Sequence, residues 1–577
     1  MPDPPNATIA ALFDELADLY ELDGAVVHRV LAYRNAAKSV REAPRSVAAM
    51  TREGRVTELP GIGRTLQEKI EALIETGTIP AVEKLRERIP PGLVDLTRLP
   101  GLGPKRARKL FDELGIDSLE SLRAAAEGGT LRDVRGFGAK FEESVLAAFA
   151  AGVADAPRPR VLLNKALDIG EGIVAALRVH PASDRVELAG SARRLTDAVK
   201  DLDIIATASD PPALLAAFSA LDVIERSSSP GENAARARTH TGMAVDLRVV
   251  EPDQFGNLLQ HFTGSRRHNM ALREAAVRRG LHVSEYGLLD DATGVTHRCA
   301  TEEEVYALLG LPWIPPELRE DRGELTLTDG DVPVLVEHAD LKGDLHMHTT
   351  LSDGRTTAEQ MAVRAREMGL EYVAITDHSA THGFGNHVTP DALRARIEEI
   401  RELDARLEGI RVLVGTETNI GIDGRPDYDD ELLAQLDWVI GSVHTSFAMD
   451  ATAMTDRMVA AVEHPLIDAI GHPTGRKIEK RAPYALDVER VIEAAARTGT
   501  MLEINSAPDR RDLNDVNARA AAQAGVRIIV NSDAHGANTL VHTRWGIATA
   551  RRAWLTKADV ANTLSWEEFA PLRKRAR

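Results

Sequence analysis

The sequence predicts a multidomain chain in three parts: an all-α amino-terminal region, an α+β middle and a carboxy-terminal α/β barrel. Three observations predict it. A hydrophobic-x-Gly-hydrophobic-Gly turn recurs at 59–63, 99–103 and 134–138, each copy followed by a helical pattern. A Gly-Ser turn lies between two strand-like runs at 186–206, the second of which carries an Asp-x-Asp pair. After residue 340, seven short apolar runs alternate with helical stretches.

A chain of 577 residues exceeds what one core supports and implies several domains, roughly three to five by size. The single cysteine, Cys299, excludes an internal disulfide framework and fits a reducing cytosol. The opening "MPDPPNATIA" lacks the pattern of a signal peptide, and no apolar run is long enough to span a bilayer, so a cytoplasmic protein is expected. A net charge of −18 argues, taken alone, against a nucleic-acid partner. Residues 96–140 nevertheless hold nine Lys or Arg against six acids, and ten of the 18 histidines follow residue 340. The two halves therefore carry different chemistry.

Each glycine unit, "LPGIG", "LPGLG" and "VRGFG", reads as helix, tight turn, helix. After the second copy, Ala107, Leu110, Phe111 and Leu114 mark one helix face. Glycine lets a ligand approach the backbone closely, and free N–H groups at the following helix start suit a phosphate oxygen. Gly61, Gly63, Gly101, Gly103, Gly136 and Gly138 are the candidate contacts to a DNA backbone, with Lys105, Arg106 and Lys140 beside them. A single copy reads equally well as a plain turn; three copies flanked by cations favour DNA contact. The units resemble helix-hairpin-helix DNA-binding motifs, the third departing with Arg135 where the others have proline.

In "VELAGSARRLTDAVKDLDIIA", Ser191 can cap a short helix whose free N–H groups hold a polyphosphate. On a strand, Asp201 and Asp203 point to one face. Asp246, in "MAVDLRVV", offers a third carboxylate for a Mg²⁺ site of the two-metal type. Taken singly, a solvated strand end and an ordinary turn are the plainer readings. The ordered combination resembles the X-family DNA polymerases over roughly residues 5–317, whose palm signature matches Gly190, Ser191, Arg193, Arg194, Asp201 and Asp203. That resemblance implies metal binding by Asp201, Asp203 and Asp246, and triphosphate binding by Gly190, Ser191 and Arg194. "HFTGSRRHN" at 261–269 resembles the family's thumb motif and implies that Asn269 contacts the incoming nucleotide. Lys200 and His261 depart from the pattern, replacing a glycine and an aromatic residue. "LAYRNAAKSV" and "LPGIGRTLQEKI" resemble the DNA-end-binding domain of DNA polymerase beta, placing Lys69 at the family's Schiff-base lysine. A solvated helix lysine is the alternative there.

The seven apolar runs, "DLHMH", "YVAIT", "VLVGTE", "WVIGSVH", "DAIGH", "MLEINS" and "RIIVNSD", predict a barrel resembling the TIM fold, with helices such as 356–368 and 390–407 between strands. Ligand-type residues sit at the strand ends: His346, His348 and nearby Asp353; Asp377 and His378; Glu417; His444; His472; Glu503; Asp533 and His535. One such histidine is ordinarily structural, but six strands ending this way concentrate them in one mouth, where divalent cations offset the crowding. With no cysteine present, imidazole and carboxylate suit Zn²⁺, Mn²⁺ or Fe²⁺. The arrangement resembles the PHP (polymerase and histidinol phosphatase) domain over about 341–577. Its nine metal-ligand positions map onto His346, His348, Asp353, His378, Glu417, His444, His472, Asp533 and His535, implying a three-metal phosphoesterase centre. His382 and His387, in a loop over the mouth, read as surface residues, with substrate contact as the alternative.

The expected organisation is a DNA-end-binding helix-hairpin-helix domain at 1–80, a fingers-like one at 81–157, a nucleotidyltransferase palm at 158–252, a thumb at 253–317, a linker at 318–340 and a distorted (β/α)7 PHP barrel at 341–577. Together the resemblances imply a monomeric, nucleoid-associated repair polymerase. It would bind gapped or nicked DNA, use deoxynucleoside triphosphates with Mg²⁺ or Mn²⁺, and process 3′ ends by exonuclease action in the barrel, abasic-site cleavage being a further activity of that barrel. The alternative is a small-molecule phosphoesterase tethered to a DNA-binding scaffold.

Overall fold

The computed structural model describes residues 3–97, 99, 102–150, 160–228, 231–383 and 386–574. The chain folds as two compact units. One comprises 1–159, 169–186 and 200–249; the other comprises 160–168, 187–199 and 250–577.

The first unit opens with helices, among them Asn6–Leu22, Val27–Glu42, Arg64–Thr76, Pro104–Leu114 and Ala139–Ala150. Their apolar faces share one core that includes Phe13, Leu16, Val40, Ile70, Leu110 and Leu131. Ala107 and Leu110 are buried as the helical spacing requires, while Leu114, at the last turn, is exposed. The first and third glycine turns each follow a 3-10 turn, Val56–Glu58 and Leu131–Asp133. The remainder of this unit is built on a sheet of five strands in which Asp201–Ala208 runs parallel to Ala244–Val249, followed by Ala234–Thr239 and Ile224–Ser227. Alternation buries Leu202, Ile204, Val245 and Leu247 and turns the intervening aspartates to the other face.

In the second unit, seven parallel strands follow one another in sequence order: Gly343–Asp344, Tyr372–Ile375, Arg411–Asn419, Trp438–Ser442, Ala469–Ile470, Met501–Asn505 and Ile528–Asn531. A parallel bridge from Met347 to Ala534 joins the first strand's extension to the last, nearly closing the barrel. Strand alternation makes two cores. Leu345, Tyr372, Leu413, Trp438, Ile440, Met501 and Ile529 fill the interior, with Phe569 packed among them. Val373, Val412, Val439, Leu502 and Ile528 face the surrounding helices. Helices Ala358–Glu367 and Pro390–Arg406 lie where the periodicity places them.

Residues 318–340, expected as a linker, are packed. Arg319 and Glu324 are wholly buried, and Val336 donates to Leu555 O at 2.9 Å. The segment's charged residues made it look solvated, but two of them are consumed in buried pairs. Arg319 and Arg193 both bind Glu302, Arg193 with two bonds of 2.7 and 2.8 Å, and His268 Nδ1 lies 2.6 Å from Glu324. Burial alone would raise the Glu302 carboxyl, but the two guanidiniums outweigh it and hold it at about 2.

Candidate active sites

The barrel mouth collects the strand-end residues. His346 and His348 follow the first strand, His378 the second, Glu417 lies within the third, and His444, His472 and Asp533 follow the fourth, fifth and seventh. The nine positions fall into four overlapping groups whose ligand atoms lie within 4.8 Å of one another: His348, Asp353, His378 and His535; His346, Glu417 and His472; His346, His348 and Asp533; His378, Glu417 and His444. Glu417 is the hub. Its Oε1 is 3.3 Å from His346 Nε2 and 3.0 Å from His472 Nε2, and its Oε2 is 2.7 Å from His378 Nδ1. Asp533 Oδ1 is 3.1 Å from His348 Nε2, and Asp353 Oδ2 is 3.3 Å from His535 Nε2.

Buried polar atoms test whether this donor set suits metal. His346 Nε2 and both Glu417 oxygens are buried without a hydrogen bond in the protein, an arrangement that costs free energy unless a cation completes it. The backbone also accommodates the arrangement, with Asp533 at φ +52° and His472 at φ +30°, conformations that L residues seldom adopt outside functional sites. Charge is unevenly distributed. Burial opposes ionisation of Glu417, yet His444, His346 and His378 hold its carboxyl well below the ordinary range. Burial, with His378 and His535 nearby, lowers His348 to about 3, leaving a neutral imidazole suited to ligation.

Two strand-end acids take other parts. Glu503 accepts from His346 Nδ1 at 2.7 Å, from the His472 amide at 2.7 Å, and from Asn531 and Asn505 at 3.0 and 3.2 Å. With its oxygens so occupied it holds the His346 ring and leaves Nε2 facing the cluster. Asp377 is likewise consumed by Thr349, Ser352 and Arg396. His382 is buried rather than superficial, stacked on His378 at 4.6 Å with Nδ1 donating to Ser379 O at 2.6 Å, whereas His387 is exposed. Sequence reasoning missed Arg510, which lines the same cleft 3.8 Å from Asp533. An arginine between an Asp and another Arg in a loop gave no signal of this.

In the five-stranded sheet, Asp203 and Asp246 are directly opposed on parallel neighbours, and Asp201 lies two residues from Asp203 on the same face. All three are half-buried. Arg236, across the sheet from Asp246, approaches it at 3.1 Å. Among the described residues, the donor groups that close to within 4.8 Å all belong to the barrel. Three like charges on one face repel, and the ion pair with Arg236 offsets part of that repulsion at Asp246.

The Gly-Ser turn lies in the second unit. Gly190 has φ +67° and begins the four-residue helix Gly190–Arg193; Ala189 occupies its N-cap position, so Ser191 sits inside the helix and does not cap it. Arg194 is engaged, donating from Nε to Glu320 at 2.9 Å and from Nη1 to Thr263 O at 2.8 Å. The loop that follows is gripped from the barrel. Arg552 donates to Arg194 O, Arg511 to Leu195 O and Thr196 O, and Arg476 to Asp197, over 2.6–3.0 Å. Asn269 is also engaged, its amide donating to His261 O at 2.7 Å and accepting from Gln260 at 3.1 Å.

Of the hairpin glycines, Gly61 and Gly136 have φ of +78° and +97°. A Cβ on Gly63, Gly103 or Gly138 would meet nothing within 4 Å, so these backbones face open space. Gly101 lies outside the described residues. Lys105 and Lys140 are exposed, while Arg106 is spent on Gly136 O and on the faces of Phe137 and Phe141. Lys69 is half-buried on helix Arg64–Thr76.

Four family models match this chain: a helix-hairpin-helix domain over 4–79, a SAM-like helix-hairpin-helix tandem over 93–151, the DNA polymerase beta thumb over 258–320 and the PHP domain over 344–507. A Bacillus subtilis protein named DNA polymerase/3′-5′ exonuclease PolX is 37% identical over 569 residues, spanning 98% of this chain and 99% of its own length. Proteins described as probable phosphatases match about a third of the chain. One from Caldanaerobacter subterraneus is 34% identical, over 33% of this chain and 75% of its own length; one from Shewanella oneidensis is 30% identical, over 34% and 77%. End-to-end similarity to the first protein, with hairpin, thumb and PHP models falling in that order, shows that the chain belongs to the PolX family of X-family DNA polymerases carrying a carboxy-terminal PHP domain.

Proposed function

We propose that the protein is a DNA-directed DNA polymerase that fills short gaps during repair and trims 3′ ends in its barrel. The observation that carries the reading is the convergence of nine imidazoles and carboxylates at the mouth of a barrel attached to hairpin and thumb domains. His346, His348, Asp353, His378, Glu417, His444, His472, Asp533 and His535 would hold Zn²⁺, Mn²⁺ or Fe²⁺. Such ions supply Lewis acidity at a phosphoryl group and a nucleophile from water. The chain's own contribution is Glu503, which fixes the His346 ring, and Arg510, which places a guanidinium beside the cluster for phosphoryl oxygens.

Asp201, Asp203 and Asp246 form an all-oxygen donor set suited to Mg²⁺ or Mn²⁺ together with a triphosphate. Ser191 and Arg194 would bind that triphosphate, Arg194 exchanging Glu320 for a phosphate, and Asn269 would meet the nucleotide from the thumb. The glycine turns would hold gapped or nicked DNA through its phosphates. Monomeric, cytoplasmic and nucleoid-associated behaviour follows from that role, and no helix among the described residues is long and apolar enough to cross a membrane.

The test is a gapped duplex supplied with Mg²⁺ or Mn²⁺, with and without nucleotides. Asp203→Ala is expected to abolish lengthening alone and His346→Ala shortening alone; loss of both activities in either variant would overturn two separate centres. The relatives described as phosphatases support a second reading, a barrel acting on small phosphate esters. Phosphate release from a small ester without digestion of oligonucleotide 3′ ends would favour it.

A further inference from the structure

Five of the nine ligand residues, His378, His444, His472, Asp533 and His535, line a cleft of about 430 Å³ whose wall also includes Phe447, Lys477 and Arg481. A second cleft, of about 590 Å³, is lined by Arg160, Arg476, Lys477, Lys480, Arg481 and Arg552, among others. Both volumes lie within the range of about 300–1,000 Å³ usual for ligand clefts. Lys477 and Arg481 line both clefts, so the turn between them is a partition with one side facing the metal ligands.

That turn is rigid. Lys477 and Arg481 exchange backbone bonds of 2.8 Å, and the Ile478 amide donates to Asp509 O at 2.7 Å. Arg481 Nε donates to Gly475 O at 2.8 Å. Its cations are unevenly matched. Arg476 and Arg552 are paired with Asp197 and Asp515, and Lys480 with Asp509. Lys477 and Arg481, at the partition itself, make no ion pair among the described residues. Burial, and after it Arg510, lowers the Lys477 ammonium against the opposing charge of Asp509. Beside them is an aromatic group. Phe447, 37% exposed, stacks on Tyr484 at 5.6 Å and carries the Arg481 guanidinium 4.6 Å from its centroid. Neighbouring cations next to an exposed aromatic ring are the elements with which proteins hold single-stranded nucleic acid.

We propose that this partition is the binding subsite for the 3′-terminal segment of a DNA strand. Lys477 and Arg481 hold the phosphate preceding the scissile phosphodiester, and Phe447 contacts the terminal nucleotide. The strand then runs from the second cleft, over the turn, into the metal cleft. A small ester has no second phosphate for the turn to hold. The inference rests on the exonuclease reading above and specifies its substrate as a strand end.

The test compares a short oligodeoxynucleotide with bis(p-nitrophenyl) phosphate, using the full chain with Mn²⁺. In Lys477→Ala/Arg481→Ala and in Phe447→Ala, the oligonucleotide KM is expected to rise about tenfold, with kcat and hydrolysis of the small ester within about twofold. In chelator, where no turnover occurs, an oligonucleotide ending in 5-iododeoxyuridine is expected to photocrosslink to the peptide containing Phe447. An unchanged oligonucleotide KM, an equal loss on both substrates, or a crosslink elsewhere would overturn the subsite. If the wild type digests the small ester but no oligonucleotide, the exonuclease reading itself fails and the subsite with it.

Discussion

Single residues here are best understood through the partners that saturate them. Glu503 and Glu417 are both buried strand glutamates, but Glu503 is filled by four donors and Glu417 by none. Replacing Glu503 with Gln should leave the fold intact and weaken metal affinity about 10- to 100-fold, as loss of a ring-orienting carboxylate does; metal titration of the two proteins checks this. Glu302→Ala should cost about 3–5 kcal/mol in thermal or denaturant unfolding, because Arg319 is wholly buried and loses its counter-charge. The pH dependence has a definite sign. The folded carboxyl, held at about 2, lies below its unfolded value, so its stabilisation is complete above pH of about 4.3 and is lost as pH falls toward 2. Melting of wild type and Glu302→Gln should therefore converge on acidification across that window. The ligand-type residues were legible in the sequence because strand ends fix where they point. The distinction between ligand and orienting acid came from the family resemblance and not from strand position, since Asn531, Asn505 and the His472 amide reach Glu503 from elsewhere in the chain.

Among the elements, the glycine hairpins separate two properties that a sequence motif merges. Gly61 needs its positive φ, so Gly61→Ala should destabilise by about 1 kcal/mol. Gly63 has φ −96° and open space where a Cβ would stand, so Gly63→Val should leave melting nearly unchanged while weakening binding to gapped DNA. Equal DNA affinity in Gly63→Val would show that this turn only reverses the chain. The barrel strands were equally legible, all seven apolar runs forming parallel neighbours in sequence order. The segment 318–340 was not, because a charged stretch rich in Pro and Gly looks the same whether solvated or folded onto buried counter-charges. The cationic turn at 477–481 was illegible for a similar reason: its function depends on two clefts that meet only in the folded chain.

For the whole molecule, the metal cluster should act as a source of stability as well as chemistry. Saturating Zn²⁺ or Mn²⁺ should raise the melting temperature, by the equivalent of about 2.7 kcal/mol at a hundredfold excess over Kd. Chelator should reverse the gain, and His346→Ala should show little of it. The grip of Arg476, Arg511 and Arg552 on residues 194–197 has another consequence. Leu195 holds a left-handed backbone (φ +57°) whose carbonyl is satisfied by a side chain more than three hundred residues later. A chain cut after residue 340 would keep every residue of the Gly-Ser turn, yet leave four consecutive positions without the guanidiniums that define their shape. The segment after residue 340 is thus a splint as well as a nuclease candidate, and excising it to study the remainder alters what is left behind.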